Sequence, residues 1–179
     1  MRVISPDWTE HDSLPFKDFR PARITGRSEI IGPMPRLKKS FNIKARDFIR
    51  AGEASINIQN LLKSMDFDPR LIRRVAICGY ESEMNVVMHG GDGTLSIEVD
   101  DEKLVLEIID DGPGIEDIEL AMQAGYSTAN DDHREMGFGA GMGLPNMKKN
   151  SDRIQVESPK NKGTVVRMVF VIPEKGKGN

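Results

Sequence analysis

Two pairs of short segments with alternating apolar residues most strongly constrain the fold of this chain. Alternation with a period of two, interrupted by polar turn residues, is typical of β-hairpins. The turns lie at 100–101 in the first pair and at 161–163 in the second. The paired segments are 94–99 with 104–110 and 153–157 with 164–172. The chain is therefore predicted to contain a mainly antiparallel sheet.

Helical periodicity appears before the first hairpin. A short alternating strand around 41–45 is followed by apolar residues at helical spacing, at Ile56, Leu61, Leu62 and Met65. Asp68 before Pro69 predicts an N-cap with proline in the first helical position. The second helix that opens there should end at Gly90 and Gly91, because glycine commonly terminates helices.

Two further helices are predicted after the first hairpin. One is short and covers 117–123, and the other begins near Leu144. Helices that pack on one face of a mixed, mainly antiparallel sheet make an α/β two-layer sandwich. This is the predicted fold class.

Residues 1–39 differ in composition from the rest of the chain. They hold five of its ten prolines and show no sustained apolar period of either helix or strand. With 8 Lys or Arg against 5 Asp or Glu, this segment is basic. We interpret 1–39 as an irregular arm, either disordered or lying along a partner or the domain, 40–173 as one domain, and 174–179 as a flexible tail.

Composition argues against several classes of protein. The chain of 179 residues is 38% hydrophobic and 30% charged, with no apolar run near the roughly 20 residues that span a bilayer. Its 25 basic and 28 acidic side chains are too balanced for the basic stripe of a nucleic-acid-binding protein. No secretory signal pattern is present, and the single cysteine, Cys78, cannot form an internal disulfide. We predict a cytoplasmic protein that binds neither nucleic acid nor membrane.

The helix that opens at Pro69 carries polar residues at four-residue spacing, namely Glu81, Asn85 and His89, which therefore share a face. An amide oxygen suits Mg²⁺, which takes hard oxygen ligands and completes its shell with phosphate oxygens and water, so Asn85 is the candidate ligand. Glu81 is the candidate general base for an attacking hydroxyl. The alternatives are a solvated helix face and, for His89, a favourable position at the negative end of the helix dipole.

A second motif, Asp-Asp-Gly-Pro-Gly at 110–114, ends the second strand of the first hairpin. Alternation places Asp110 on the core-facing side. A buried carboxylate needs a hydrogen-bond donor, and the exocyclic amine of adenine would supply one. Gly112 and Gly114 let the backbone turn sharply and approach a purine ring. A simple turn after a strand is the alternative interpretation.

A third motif has glycine at every second position from 137 to 143 and leads into a helix. Successive backbone N–H groups and a helix N-terminus favour phosphate. The candidate phosphate-contacting residues are Gly139, Gly141, Gly143 and Leu144. The spacing matches neither the dinucleotide fingerprint nor the Walker A pattern. The glycines also suit a lid over 126–142 that closes on ATP, in which Arg134 reaches the terminal phosphate; a flexible linker is the alternative.

Thr164 begins the last predicted strand and shares a side with that strand's apolar positions. Its hydroxyl is therefore a candidate contact to adenine beside Asp110. An ordinary β-branched residue at the start of a strand is the alternative interpretation.

Taken in order, these motifs resemble those of the GHKL ATPases, the superfamily of gyrase, the heat-shock chaperone, histidine kinases and the mismatch-repair ATPase. They are Glu-x-x-x-Asn on a helix, Asp-x-Gly-x-Gly after a strand, Gly-x-Gly-x-Gly-Leu before a helix and Gly-Thr on a strand, within about 40–172. The resemblance implies the Bergerat fold. It also implies roles for individual residues: magnesium at Asn85, the base at Glu81, adenine at Asp110 and Thr164, and phosphate at the 139–143 loop.

Within that superfamily the runs Asp-Gly-Pro-Gly-Ile at 111–115 and Ala-Gly-Tyr-Ser-Thr at 124–128 are most similar to the anti-sigma-factor serine/threonine kinases, especially those of the stress-signalling switch-kinase type. The similarity implies a kinase that uses ATP and Mg²⁺ to phosphorylate a regulatory protein, such as an anti-sigma antagonist, a sensor scaffold or a sigma factor. The alternatives are a nucleotide-gated anti-sigma or other binding module without phosphotransfer, and an ATPase whose lid closure is the signal. The arm and the stretch 128–137 depart from the family pattern. The choice between monomer and homodimer stays open.

Overall fold

The computed structural model describes residues 2–4, 37–127, 140–159 and 162–173. Within these ranges the strands are β1 (Arg2–Ile4), β2 (Leu37–Ile43), β3 (Gly93–Val99), β4 (Lys103–Asp110), β5 (Arg153–Glu157) and β6 (Thr164–Val171). The helices are α1 (Glu53–Ser64), α2 (Pro69–His89), α3 (Ile118–Ala121) and α4 (Gly143–Asn150).

The strands form one sheet in the order β1-β5-β6-β4-β3-β2. Both predicted hairpins are present, as β3 with β4 and β5 with β6, and each is antiparallel. The hairpins join side by side through β4 and β6, where Leu106 faces Met168. Each described pairing is antiparallel, so the predicted, mainly antiparallel α/β sandwich is confirmed.

The core lies between the helices and one face of the sheet. Alternate residues of the central strands are buried on this face, as the period of two predicts: Leu95, Ile97, Val99, Leu104, Leu106, Ile108, Val166, Met168 and Phe170. On the helical side Ile58, Leu62 and Val75 are each at most 1% exposed. Burial of this continuous apolar layer is the main stabilising contribution to the fold.

The start and end of α2 follow from its sequence. The Asp68 side chain accepts a hydrogen bond from the Arg70 N–H at 2.6 Å, which confirms the predicted N-cap. At the other end the Gly90 N–H bonds to the Asn85 and Val86 carbonyl oxygens, and the helix stops. The 21-residue helix crosses the sheet and contacts β2, β3, β4 and β6.

The structure differs from the sequence prediction at two places. The buried stripe of α1 is formed by Ala54, Ile58 and Leu62, whereas Ile56 is 56% exposed. In addition, β1 and the start of β2 lie inside 1–39, the segment interpreted as irregular. A short edge strand such as β1 has no pattern of its own, because its hydrogen bonds come from the distant strand β5.

None of the helices described here has both the length and the apolar character needed to cross a bilayer.

Candidate functional site

Several predicted site residues meet at one end of the sheet. Asp110 ends β4 and Thr164 begins β6, and the two face each other across the antiparallel ladder. Partners across a ladder share a face, and here it is the helix-covered face. The Gly163 N–H donates to the Gly112 carbonyl oxygen at 2.9 Å and ties the following loops together. We call Asp110, Gly112, Gly163 and Thr164 the sheet corner.

The Asp110 carboxylate is half-buried against the end of α2. A Cβ on Gly90 would lie 3.3 Å from Asp110 Cγ. Burial raises the pKa of Asp110. Hydrogen bonds from backbone N–H groups oppose that shift, and their donors are Gly112, at 2.8 Å from Oδ1, Thr164 and Gly91. The carboxylate therefore already has donors within the protein, and the predicted contact to the adenine amine stays a prediction.

The two motif glycines after Asp110 lie where a side chain has no room. A Cβ on Gly112 would lie 2.5 Å from the Gly91 nitrogen, so the loop packs directly on the backbone that follows α2. Gly114 has a φ of +80°, a left-handed conformation that favours glycine, and a Cβ there would lie 2.9 Å from the Pro159 carbonyl oxygen. These glycines therefore approach other segments of the protein closely, and their predicted approach to a purine ring stays a prediction.

Ser158 belongs to this corner and was not predicted. Its hydroxyl lies 3.0 Å from the Thr164 hydroxyl and accepts the Ile115 N–H at 2.6 Å. Ser158 and Thr164 are 3% and 9% exposed. A buried hydroxyl needs a hydrogen-bond partner, and this pair supplies one within the protein. No local motif marks Ser158, because only the folded hairpin brings it beside Thr164.

The second group of site residues lies on α2 and at the start of α4. Gly143 begins α4, and a Cβ there would lie 3.2 Å from Asn85 Oδ1 and 3.6 Å from Glu81 Oε2. The Asn146 side chain donates to Glu81 Oε1 at 2.7 Å. We call Glu81, Asn85, Gly143 and Asn146 the helix corner. Asn146 was not predicted; it lies one turn into α4, where the helix packs on α2.

The N-terminus of α4 therefore lies directly beside the candidate base and the candidate metal ligand. The first N–H groups of a helix have no partner within it, and the helix dipole adds partial positive charge. Such an end suits phosphate oxygens. The oxygen of Asn85 is a hard donor at the same place, which fits a Mg²⁺ ion that shares phosphate oxygens as ligands.

In the described ranges no group of three or more His, Cys, Asp or Glu side chains is placed to hold a metal ion. A Mg²⁺ site built on Asn85 does not need one, because phosphate oxygens and water can complete the octahedron.

The ends of the predicted lid lie close together. The Gly125 N–H donates to the Gly141 carbonyl oxygen at 3.0 Å. Gly141 has a φ of +69°, and a Cβ there would lie 2.5 Å from the carbonyl oxygen of Tyr126. The residues between these ends, 128–139, are outside the described part of the chain. The predictions for Arg134 and Gly139 fall among them.

Two other residues that were predicted to contact the nucleotide, Leu144 and His89, are placed differently from that prediction. The Leu144 side chain is 6% exposed and belongs to the hydrophobic core, so only its backbone is available to a phosphate. His89 ends α2 and precedes Gly90, which places it nearer to the sheet corner than to Glu81.

The two corners are connected by one half of α2. Asn85 and Glu81 lie on its second and third turns counted from the C-terminal end, and Gly90 at that end packs on Asp110. At about 1.5 Å per residue, Glu81 and Gly90 are about 14 Å apart along the helix axis. The site residues thus lie along one elongated region, with the sheet corner at one end and the helix corner at the other.

A family model described as "Histidine kinase-, DNA gyrase B-, and HSP90-like ATPase" matches residues 79–175, which include both corners and more than half of the chain. The chain belongs to this family. The resemblance to the GHKL ATPases is therefore confirmed, and the antiparallel sheet with helices on one face agrees with the Bergerat fold.

Several curated proteins that are similar to this chain carry the name anti-sigma F factor. The relative from Thermoanaerobacter sp. (strain X514) is 39% identical over 96 residues, which cover 54% of this chain and 59% of the relative. The Clostridium acetobutylicum protein is 36% identical over 110 residues, 58% of this chain and 73% of that protein. The Clostridium botulinum (strain Eklund 17B / Type B) protein is 40% identical over 94 residues, 49% of this chain and 62% of that protein.

Proposed function

We propose that the chain is an ATP-dependent serine/threonine kinase of the anti-sigma-factor type, which transfers the γ-phosphate of ATP to a regulatory protein partner. The observation that carries this proposal is the position of Gly143 against Glu81 and Asn85. It brings a candidate base, a candidate magnesium ligand and a helix N-terminus to one place. Phosphoryl transfer depends mostly on such positioning and on neutralisation of charge.

In this proposal adenine binds at the sheet corner, and the phosphates extend along α2 to the helix corner. Asp110 accepts a hydrogen bond from the adenine amine, and Thr164 and Ser158 position a bound water or the ring edge. The backbone N–H groups at the start of α4 bind phosphate oxygens. Mg²⁺, held through Asn85, would neutralise phosphate charge.

Glu81 then takes the proton of the partner's serine or threonine hydroxyl, whose oxygen bonds to the γ-phosphorus while the bond from that phosphorus to ADP breaks and ADP leaves. Its Oε1 is engaged by Asn146, which leaves Oε2, on the side of Gly143, to accept that proton. Asn146 acts in this scheme as a positioning residue, because it holds the carboxylate in one orientation. The proposal includes a cytoplasmic location, which the single, free and buried Cys78 supports.

A second candidate is a nucleotide-gated binding module that holds a sigma factor without phosphorylating it. The name of the similar curated proteins, anti-sigma F factor, favours it, since that name describes an action on a sigma factor. Because the match spans only 59% of the Thermoanaerobacter relative, the activity and partners of whole relatives come to this chain as proposals.

The two candidates differ in the fate of the γ-phosphate. Incubation with γ-labelled ATP and candidate sigma factors and sigma-factor regulators should label a serine or threonine of the acceptor. Glu81→Gln and Asn85→Ala should abolish the label, while Glu102→Gln, an exposed glutamate in the β3–β4 turn, should retain it. Nucleotide-dependent partner binding without transferred label would establish the binding module instead.

A further inference from the structure

A groove of about 580 Å³ runs between α1 and α2 and shares only Glu81 with the two corners. It is lined mainly by one stripe of α2 and by the C-terminal part of α1. The lining residues that matter here are Lys63, Arg73, Ala76, Ile77, Tyr80 and Glu81. Since Glu81 also belongs to the helix corner, the groove ends at the candidate base.

The side chains that line the groove change along its length from cationic through apolar to anionic. Ala76, Ile77 and the ring of Tyr80, which is 42% exposed, make its middle apolar. Arg73 lies eight residues before Glu81 on the same helix, so the cationic and anionic ends are about 12 Å apart. A polypeptide bound here would meet a cation, an apolar stretch and then the base.

The cations of the groove lack acidic partners among the described residues. Lys63 donates to the side-chain oxygen of Gln59 at 3.4 Å, which is a neutral partner. Arg73 forms no hydrogen bond or ion pair with any other described side chain, in contrast to its neighbour Arg74, which pairs with Asp152 at 2.6 Å. An accessible guanidinium beside an apolar surface is suited to bind a carboxylate from another molecule.

We propose that this groove binds the acceptor protein through a segment that places its hydroxyl at Glu81, an apolar side chain over Ala76 and Ile77, and a carboxylate against Arg73. The inference rests on the proposed function, because the hydroxyl must reach Glu81 for its proton to be taken. In an extended segment, about 12 Å corresponds to about four residues between the hydroxyl and the carboxylate.

Two matched fluorescent peptides test the groove on the full chain with Mg²⁺ and ATP present. Both contain a serine and an intervening leucine, and they differ only in Asp or Lys at the position about four residues from the serine. Fluorescence polarisation measures binding. We expect the Asp peptide to bind more tightly than the Lys peptide, and Arg73→Glu to weaken the Asp peptide by about three- to tenfold.

The control is Lys103→Glu, the same change of charge at an exposed lysine where β4 begins, at the opposite end of that strand from Asp110. It should change both affinities less than about twofold, because Lys103 does not line the groove and a single exposed charge outside it is screened by salt. The reciprocal result completes the test: Arg73→Glu should prefer the Lys peptide. Equal binding of the two peptides, no saturable binding up to about 1 mM, or indifference to Arg73→Glu would overturn the proposal.

Transfer of label from γ-labelled ATP to the peptide serine is read in the same samples. Charge-selective docking without transfer supports the groove and rejects the kinase function. Transfer of label that is unchanged by Arg73→Glu supports the kinase function and rejects the groove.

Discussion

The two corners of the site are built in different ways. In the sheet corner backbone meets backbone: a Cβ on Gly163 would overlap the carbonyl oxygen of Asp110, and the Gly163 N–H bonds to Gly112. In the helix corner side chains meet a helix end, since the nearest atoms to a Cβ on Gly143 belong to the Asn85 side chain. The first corner is therefore part of the fold's stability, whereas the second can be changed with little effect on the fold.

The largest effect is expected for Gly163→Ala. Gly163 has a φ of +75° and its Cβ would overlap main-chain atoms, so the hairpin must distort. We expect a loss of about 3–5 kcal/mol in the free energy of unfolding, measured by urea denaturation. Gly125→Ala is the control, because Gly125 also has a positive φ of +87° but a Cβ there meets nothing within 4 Å. Its cost should be only about 1–2 kcal/mol; equal losses would show that overlap is irrelevant.

The second-largest effect on stability is expected for Glu83→Gln, and it distinguishes Glu83 from Glu81 on the same helix. Glu83 is 2% exposed and accepts the N–H groups of Ala54 and Ser55 at 3.1 and 3.0 Å, so it caps α1 from another helix. Glu83→Gln should lower the free energy of unfolding by about 2 kcal/mol, since it loses charge-assisted bonds to a helix N-terminus. Glu81→Gln should lower it by less than about 0.5 kcal/mol and act on phosphotransfer instead. Similar destabilisation by both changes would contradict the proposed division of roles.

A smaller effect concerns Asp110 and pH. Its pKa is raised above its ordinary value of 3.8 mainly by burial, so the folded protein binds this proton more tightly than the unfolded chain. Its contribution to stability is therefore greatest below pH 3.8 and declines as pH rises to the raised pKa. Nucleotide affinity should change in the opposite direction, because the ionised carboxylate is the better acceptor for the adenine amine.

Both predicted pH dependences can be measured between pH 3.8 and the raised pKa of Asp110. Urea denaturation measures the free energy of unfolding, and calorimetric titration with adenosine measures the affinity. Asp110→Asn should remove both pH dependences and weaken adenosine binding by about tenfold. If the variant keeps the pH dependence of the parent, another group is responsible, and the proposed adenine contact fails.

The smallest effect is expected for Gly143→Ala. The added methyl would contact the movable Asn85 side chain at 3.2 Å, so the free energy of unfolding should change by less than about 1 kcal/mol. Affinity for ATP with Mg²⁺ should fall a few-fold, while affinity for adenosine stays unchanged, because only the helix corner is disturbed. Isothermal titration with both ligands measures this, and a parallel loss of adenosine binding would mean that the corners are not separate.

Local patterns predicted most of the elements. Alternation located both hairpins, and Asp68 with Pro69 located the start of α2. These patterns are readable because they depend on neighbours within the same segment. The edge strand β1 was not predicted, and neither was the exposure of Ile56, because both depend on contacts between segments far apart in sequence.

The candidate site was predicted less completely. Glu81, Asn85, Asp110 and Thr164 could be selected from their motifs, and the structure brings them to two connected corners. Asn146 and Ser158 could not, since an asparagine in a helix and a serine after a strand carry no local signal. The roles of all these residues toward ATP and Mg²⁺ stay predictions.

The sequence by itself determined which side chains share a face. Helical spacing puts Glu81 and Asn85 together, and the period of a strand puts Asp110 on the side of the core. Only the tertiary structure decided what each face meets. It set Thr164 opposite Asp110 through strand register, and it assigned Glu83 to cap α1 while Glu81 meets α4. Those choices depend on packing between distant segments, whose free energy no single segment contains.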